Sequence, residues 1–182
     1  MRSTKKLTIS AMMTAMGVVL MTLGYFIEVL DLTVAALASL IIAFVYIELG
    51  SPYVFFVWLA TALLSFIFFP SSMVWLEYFL VFGLYPILKA YIERLPRKLW
   101  LPIKLLLANA MIAVLLLLTE LITGVPFFEE GATLLGFISG KLLFVAAWVI
   151  MNFAGVLYDM FLTAMVRVYF VRYRDRFKKF LK

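Results

Sequence analysis

Six long apolar runs restrict the fold of this sequence more than any other feature. They lie at residues 7–27, 32–49, 52–69, 73–91, 101–122 and 142–169. A helix needs about 20 apolar residues to cross the hydrocarbon core of a bilayer, so each run is long enough to span it with some tilt. The runs lack the alternation of an outer-membrane barrel, and backbone groups in lipid must be satisfied within their own segment. The sequence therefore predicts an all-α polytopic membrane protein, a six-transmembrane-helix bundle.

Composition leads to the same class of protein. Of the 182 residues, 66% are hydrophobic and 14% are charged, whereas a soluble domain has about 25% charged residues. The connections between the runs are short, so we expect residues 1–182 to form a single transmembrane domain. Residues 133–141 fit three interpretations: an extracellular loop, a re-entrant segment or an early start of the last helix.

The distribution of charge predicts the orientation of the chain. Every Lys and Arg except Lys141 falls within residues 2–6, 89–104 or 167–182, and cytoplasmic connections are the ones enriched in basic residues. Both termini are therefore predicted to be cytoplasmic, in a multi-pass protein of the cell (plasma) membrane. Six acidic residues fall on the predicted outer side: Glu28, Asp31, Glu77, Glu120, Glu129 and Glu130.

Several functions are excluded by the residues that the sequence lacks. It has no His and no Cys, which removes zinc enzymes, thiol nucleophiles and any catalytic pair that includes His. It also has no phosphate-binding loop of the ATPase type. We therefore expect no enzyme activity, no metal and no cofactor. The basic residues flank apolar runs, which argues for membrane lipid and against nucleic acid as their partner.

One carboxylate falls inside a predicted span. Asp159 lies in the last run, and a charged side chain at the centre of a membrane helix costs about 2.5–3.5 kcal/mol on insertion scales, so that it should have a partner. Lys89, Lys104 and Asn109 lie near the cytoplasmic ends of neighbouring spans. These intramembrane polar residues form either a structural ion pair or hydrogen bond with Asp159, or part of a functional site.

The outer half of the bundle contains a second set of candidates, which combines aromatic residues with a few polar groups. Ligand pockets have this composition, but an interfacial aromatic belt with solvated acids has it too. Because acids outnumber the single Lys on this side, a cationic or amine-bearing ligand is favoured over an anionic one. The predicted substrate-binding residues are Trp75, Glu77, Tyr78, Glu120, Lys141, Trp148 and Asn152.

The first run contains two small residues one helical turn apart, Ala11 and Ala15. Small residues at this spacing let another helix approach the backbone closely. The approaching helix belongs either to the same bundle or to a partner protein.

The segment from Lys6 through Ala11 to Ala15 (KLTISAMMTA), preceded by a basic N-terminus, resembles the first helix of the substrate-binding S components of energy-coupling factor (ECF) transporters. The six spans, the cytoplasmic termini and a length near 180 residues are similar to that family as well. The resemblance implies that the protein captures a small vitamin or related nutrient from outside. It also implies that Ala11 and Ala15 dock on a T subunit, which works with two ATPase subunits. It names no substrate.

Two other kinds of membrane protein compete with this interpretation. A non-transporting scaffold of the rod-shape-determining MreD type also has about six spans and a similar size. An autonomous secondary transporter is disfavoured, because the chain shows no inverted repeat and only one charged residue deep in a span.

Overall fold

The computed structural model describes the backbone of residues 3–124, 133–134 and 138–181; the side chains at 28, 133–134, 138–141, 143 and 178–181 lie outside this description. Within it, six helical segments are long and apolar enough to cross a membrane. This confirms the prediction of an all-α six-helix membrane protein. The cytoplasmic location of the termini stays a prediction.

Four of the six spans each contain one uninterrupted α-helix, whereas the fourth and sixth spans consist of several helical elements. The single helices are α1 (Ser3–Phe26), α2 (Asp31–Glu48), α3 (Ser51–Phe68) and α6 (Trp100–Thr123). The fourth span consists of α4 (Val74–Glu77), a π-helical turn (Tyr78–Phe82) and α5 (Tyr85–Ile92). The sixth consists of α7 (Gly140–Val168), a π-helical turn (Tyr169–Tyr173) and α8 (Arg174–Leu181). Short 3₁₀ turns lie at Glu28–Leu30 and Arg97–Leu99.

The connection before the last span contains a small β element. Two-residue strands, β1 (Thr133–Leu134) and β2 (Ile138–Ser139), pair antiparallel with Thr133 opposite Ser139. Helix α7 begins at Gly140, directly after β2 and two residues before the predicted start of the last span. Glu129 and Glu130, which were predicted to lie in this connection, fall outside the described residues.

Glycine sets two of the helix ends. Gly124 adopts a left-handed conformation with φ 68°, and its N–H donates to the Glu120 carbonyl at 2.8 Å, the usual geometry of a helix C-terminus. Gly50, with φ 92°, turns the chain into α3, and Pro52 occupies the first turn of that helix. Proline is suited to this position because the first N–H groups of a helix have no partner within it.

The first four spans form the core of the bundle. Between 28% and 44% of the residues in the apolar window of each of these spans are buried, compared with 6% in each of the last two spans. Small residues allow this close packing: Ala35 and Ala38 of α2 are fully buried, and a Cβ atom at Gly17 of α1 would lie 2.9 Å from Thr61 Cγ2 of α3. The last two spans bury little surface, so specific polar contacts matter more for their position.

The fourth span is interrupted in its middle. In the π turn, the Gly83 N–H donates to the Tyr78 carbonyl, five residues earlier, at 2.7 Å. Pro86 follows, and because proline has no N–H it leaves the Phe82 carbonyl without its usual helical donor. The Tyr158 hydroxyl of α7 donates to that carbonyl at 3.3 Å. A side chain from another span thus supplies a hydrogen-bond donor that the interrupted helix lacks.

Trp58 of α3 also contacts the π turn of the interrupted span. Its indole N–H donates to the Phe79 carbonyl at 3.1 Å, and its ring stacks on Phe79 with centroids 4.8 Å apart. A Cβ atom added at Gly83 would lie 2.5 Å from Trp58 Cδ1 and 2.8 Å from the Tyr78 carbonyl oxygen. No side chain fits at Gly83 unless Trp58 and the turn move.

We predict that Gly83→Ala destabilises the protein by about 1–3 kcal/mol, the usual cost of an overpacked contact. Gly155→Ala is the matched control, since a Cβ atom there would meet only the Ala108 Cβ, at 4.0 Å. Thermal unfolding of the purified variants in detergent measures the difference. Equal midpoints for the two variants would contradict the close packing around Gly83.

Candidate functional site: an intramembrane charge cluster

Asp159 of α7 lies between two lysines from different helices. Lys89 of α5 pairs with its Oδ1 oxygen, and Lys104 Nζ of α6 lies 3.0 Å from its Oδ2 oxygen. Each carboxylate oxygen therefore has its own ammonium group. Two of the three partners that the sequence proposed for Asp159 are present, and the third, Asn109, bonds elsewhere.

A second carboxylate shares both lysines. Glu93 Oε1, just beyond the end of α5, lies 2.9 Å from Lys89 Nζ and 2.7 Å from Lys104 Nζ. Two ammonium groups and two carboxylates thus form one cluster without net charge. Lys89, Glu93, Lys104 and Asp159 are called the charge cluster below.

Neutral groups complete the hydrogen bonds of the cluster. The Tyr85 hydroxyl donates to Asp159 Oδ1 at 2.9 Å, and Lys89 Nζ donates to Thr163 Oγ1 at 2.8 Å. Helical spacing explains this arrangement: Tyr85 and Lys89 are one turn apart on α5, as are Asp159 and Thr163 on α7, so each pair presents its polar atoms on one face.

The cluster is largely shielded from solvent. The exposed fraction of the side chains is 8% for Lys89, 12% for Lys104 and 21% for Asp159. Partial burial opposes ionisation of Glu93, but hydrogen bonds from Lys104 and Lys89 outweigh it and hold the pKa of that carboxyl below its ordinary value. Mutual neutralisation is therefore what lets four charges lie together at this depth.

A cavity adjoins the cluster between α2, α5 and α7. It has a volume of about 180 Å³, and Lys89, Glu93 and Thr163 contribute its polar lining. Near its rim the Arg94 guanidinium donates to the Tyr46 hydroxyl at 2.7 Å. Every charge of the cluster has a partner within it, and these contacts join α5, α6 and α7 at the end of the bundle that carries both termini.

Asn109 and Asn152 form a separate polar contact between α6 and α7. Their amides exchange hydrogen bonds in both directions, at 2.8 and 3.0 Å. Each amide also donates to the carbonyl four residues earlier in its own helix. A reciprocal amide pair in lipid fixes the register of two helices. Asn152 was predicted to bind substrate, and Asn109 was predicted to lie near Asp159. In the structure the two asparagines bond to each other.

The three predicted binding residues on α4 and its π turn differ in environment. Tyr78 is 1% exposed and belongs to the core, whereas Trp75 and Glu77 are half-buried. The Trp75 ring contacts Phe66 of α3 at 4.8 Å. Among the described residues, neither the Trp75 indole N–H nor Glu77 Oε2 has a hydrogen-bond partner, although both atoms are buried.

The other predicted binding residues lie on the last two spans. Glu120 is exposed near the end of α6, and Trp148 of α7 packs beside Phe144 with ring centroids 5.6 Å apart. Lys141 falls in α7, but its side chain is outside the described part of the structure. The described contacts therefore neither assemble the seven residues into one pocket nor separate them, and the outer pocket stays a prediction.

The sequence did not indicate two of the side chains around Asp159, namely Tyr85, which donates to it, and Glu93, which shares its lysines. Tyr85 sits one turn before Lys89, a spacing that could have indicated a shared face. Glu93 lies one turn after Lys89, a spacing that allows the two to pair, but its contact with Lys104 depends on how α6 packs against α5, for which the sequence carries no signal. Over the described ranges, no group of three or more His, Cys, Asp or Glu could hold a metal ion.

Comparison with known protein families, with curated proteins and with solved structures finds no match to this chain. The class of protein is therefore defined by the sequence and structure of this chain alone. It is a multi-pass membrane protein with six candidate spanning helices and a neutral four-charge cluster that joins three of them.

We predict that Lys89→Met destabilises the protein by about 3–5 kcal/mol, because it leaves a buried negative charge in excess. In Lys89→Met/Asp159→Leu, the Lys104–Glu93 pair remains and the site is neutral again, so much of the loss should be recovered. Arg97→Met, at an exposed residue, is the control. Thermal unfolding in detergent checks this, and a double variant no more stable than Lys89→Met would refute it.

Proposed function

We propose that this protein is the membrane-embedded, substrate-capturing S component of an ECF-type importer for a vitamin or other micronutrient. In this proposal it lies in the plasma membrane with both termini in the cytoplasm. It docks through α1 on a T subunit that carries two ATPase subunits, and it has no catalytic activity of its own.

The outward position of Ala11 and Ala15 carries the proposal. The buried residues of α1 are Ser10, Gly17, Met21 and Gly24, whereas Ala11 and Ala15 are exposed. If their spacing served packing within this bundle, they would lie on the buried face. Instead Thr4, Thr8, Ala11 and Ala15 form an exposed stripe of small residues at spacings of four, three and four.

Such a stripe is of little use against lipid alone. Lipid tails pack against large and small side chains alike, whereas small residues matter when a second helix must come close to the backbone. The stripe thus supports docking of a helix from another protein.

Two unpartnered polar atoms support a substrate site in the outer half. Burial of the Trp75 indole N–H and of Glu77 Oε2 without partners in the described structure is unfavourable unless something else satisfies them. A ligand that carries an amine as well as an acceptor group would satisfy both. This agrees with the cationic ligand that the surplus of outer acids favours.

We predict that Ala11→Leu/Ala15→Leu abolishes partner docking and leaves the stability within about 0.5 kcal/mol, because both positions are exposed. The control is Ala110→Leu/Ala154→Leu, at exposed alanines of α6 and α7. Tagged proteins purified from the membranes of the native organism are compared by mass spectrometry. The wild type and the control should bring down a T subunit and two ATPases.

Recovery of those subunits with the Ala11→Leu/Ala15→Leu variant would refute docking through these two residues. Recovery of cell-wall synthesis proteins in place of transporter subunits would instead support a scaffold of the MreD type.

We predict that Glu77→Gln weakens binding of the captured nutrient by about 10–100-fold, because a hydrogen bond to a charged group contributes about 1.5–3 kcal/mol. Asp175→Asn, in the tail, is the control. Native mass spectrometry of the purified protein identifies the small molecule that remains bound and its occupancy in each variant. Equal occupancy in Glu77→Gln and in the wild type would remove Glu77 from the site.

A further inference from the structure

A hydrocarbon-lined groove runs along the surface of the bundle between α1, α2 and the end of the sixth span. It has a volume of about 550 Å³. From the positions of its lining residues on α2, the groove extends for about 10 Å along that helix. Its principal lining residues are Met13, Met16, Leu37, Phe44, Tyr173 and Phe177.

Side-chain contacts tie the end of the sixth span to α2 and hold that wall of the groove in place. Glu48 of α2 accepts a hydrogen bond from the Tyr169 hydroxyl at 3.0 Å, and Arg174 Nε lies 3.5 Å from the same carboxylate oxygen. The Phe44 ring contacts the rings of Tyr169 and Phe177, with centroids 5.5 and 4.9 Å apart.

The size of the groove argues against a helix as its occupant. One turn of a helix is about 5.4 Å long, so the groove extends for less than two turns along α2. It therefore offers a spanning helix only a short contact. A single hydrocarbon chain is narrow enough to lie along its length.

Positive charge lies at the terminal end of the groove. Arg172 and Arg176 immediately precede Tyr173 and Phe177, and Arg176 lies three residues after Tyr173, on the same side of the helix. Both arginines are exposed. Among the described residues neither forms an ion pair, whereas the neighbouring Arg174 is engaged by Glu48. Their guanidinium groups are available to an external anion beside the apolar groove.

We propose that this groove binds one acyl chain of an anionic phospholipid, whose phosphate headgroup is held by Arg172 and Arg176. The basic tail by itself indicates only attraction to anionic lipid surfaces. The groove adds a defined site, because it pairs an apolar wall for the chain with two unpaired guanidinium groups for the headgroup. The site does not depend on the proposed transport function.

The test uses the full chain, purified in detergent and titrated with dioleoyl phosphatidylglycerol or dioleoyl phosphatidylcholine, which share their chains and differ in headgroup charge. Native mass spectrometry counts the lipids retained. We expect one phosphatidylglycerol to be retained in preference to phosphatidylcholine. Basic residues near anionic lipid contribute about 1 kcal/mol each, so Arg172→Gln/Arg176→Gln should weaken phosphatidylglycerol binding about 30-fold. The charge-matched control, Arg97→Gln/Lys98→Gln, should leave it unchanged.

A second pair of variants tests the groove itself. Leu37→Trp on α2 and Met16→Trp on α1 place a large ring in the groove. The native side chains are 42% and 55% exposed, respectively. Each should remove the retained phosphatidylglycerol, whereas Leu63→Trp, at a lipid-facing residue of α3 with 51% exposure, should not. Circular dichroism and thermal unfolding verify that the variants are folded.

Four results would overturn the proposal. Equal retention of the two lipids would show that charge has no part in the site. Retention by Leu37→Trp and Met16→Trp equal to that of Leu63→Trp would show that the groove holds no chain. A wild-type dimer that Leu37→Trp converts to a monomer would assign the groove to a second copy of the protein. Glycerol phosphate, which lacks acyl chains, should fail to compete, and effective competition by it would likewise refute an acyl-chain site.

Discussion

Charge neutralisation in a medium of low dielectric constant is the constraint on which the arrangement of the last three spans depends. Asp159 and Glu93 are tolerated at the end of the bundle that carries both termini because Lys89 and Lys104 contact both of them. These four side chains come from three spans, the last two of which bury little surface of their own. Electrostatics thus supplies the specificity that apolar packing provides for the first four spans.

The interruption of the fourth span serves this arrangement. A regular helix is disfavoured here, because Pro86 removes one backbone hydrogen bond. Trp58 and Tyr158 replace what is lost by donating to carbonyls of the π turn. Helix α5 follows the interruption directly, and its polar face with Tyr85 and Lys89 contacts Asp159 and Thr163. Single π turns of this kind occur inside α-helices, frequently at functional sites.

Much of this structure could be predicted from the sequence. The number of spans follows from apolar runs, and a partner for Asp159 is required by the cost of a lone carboxylate in lipid. The contact of Glu93 with Lys104 was not predictable, since it joins two helices whose relative rotation has no local signal. The same is true of the Asn109–Asn152 pair, whose members were assigned to different candidate sites. The outer pocket depends on long-range contacts and stays a prediction.

By itself, the sequence determined the class of the protein, the extent of its spans and the need to pair its buried charges, because the energetics of lipid act on each segment separately. Only the tertiary structure decided which face of each helix is buried. The spacing of Ala11 and Ala15 is the same whether α1 turns them inward or outward. Their exposure follows from the packing of Gly17 against Thr61, a contact between distant parts of the chain. The groove beside Phe44 arises in the same way, from an end of the sixth span that Glu48 holds in place.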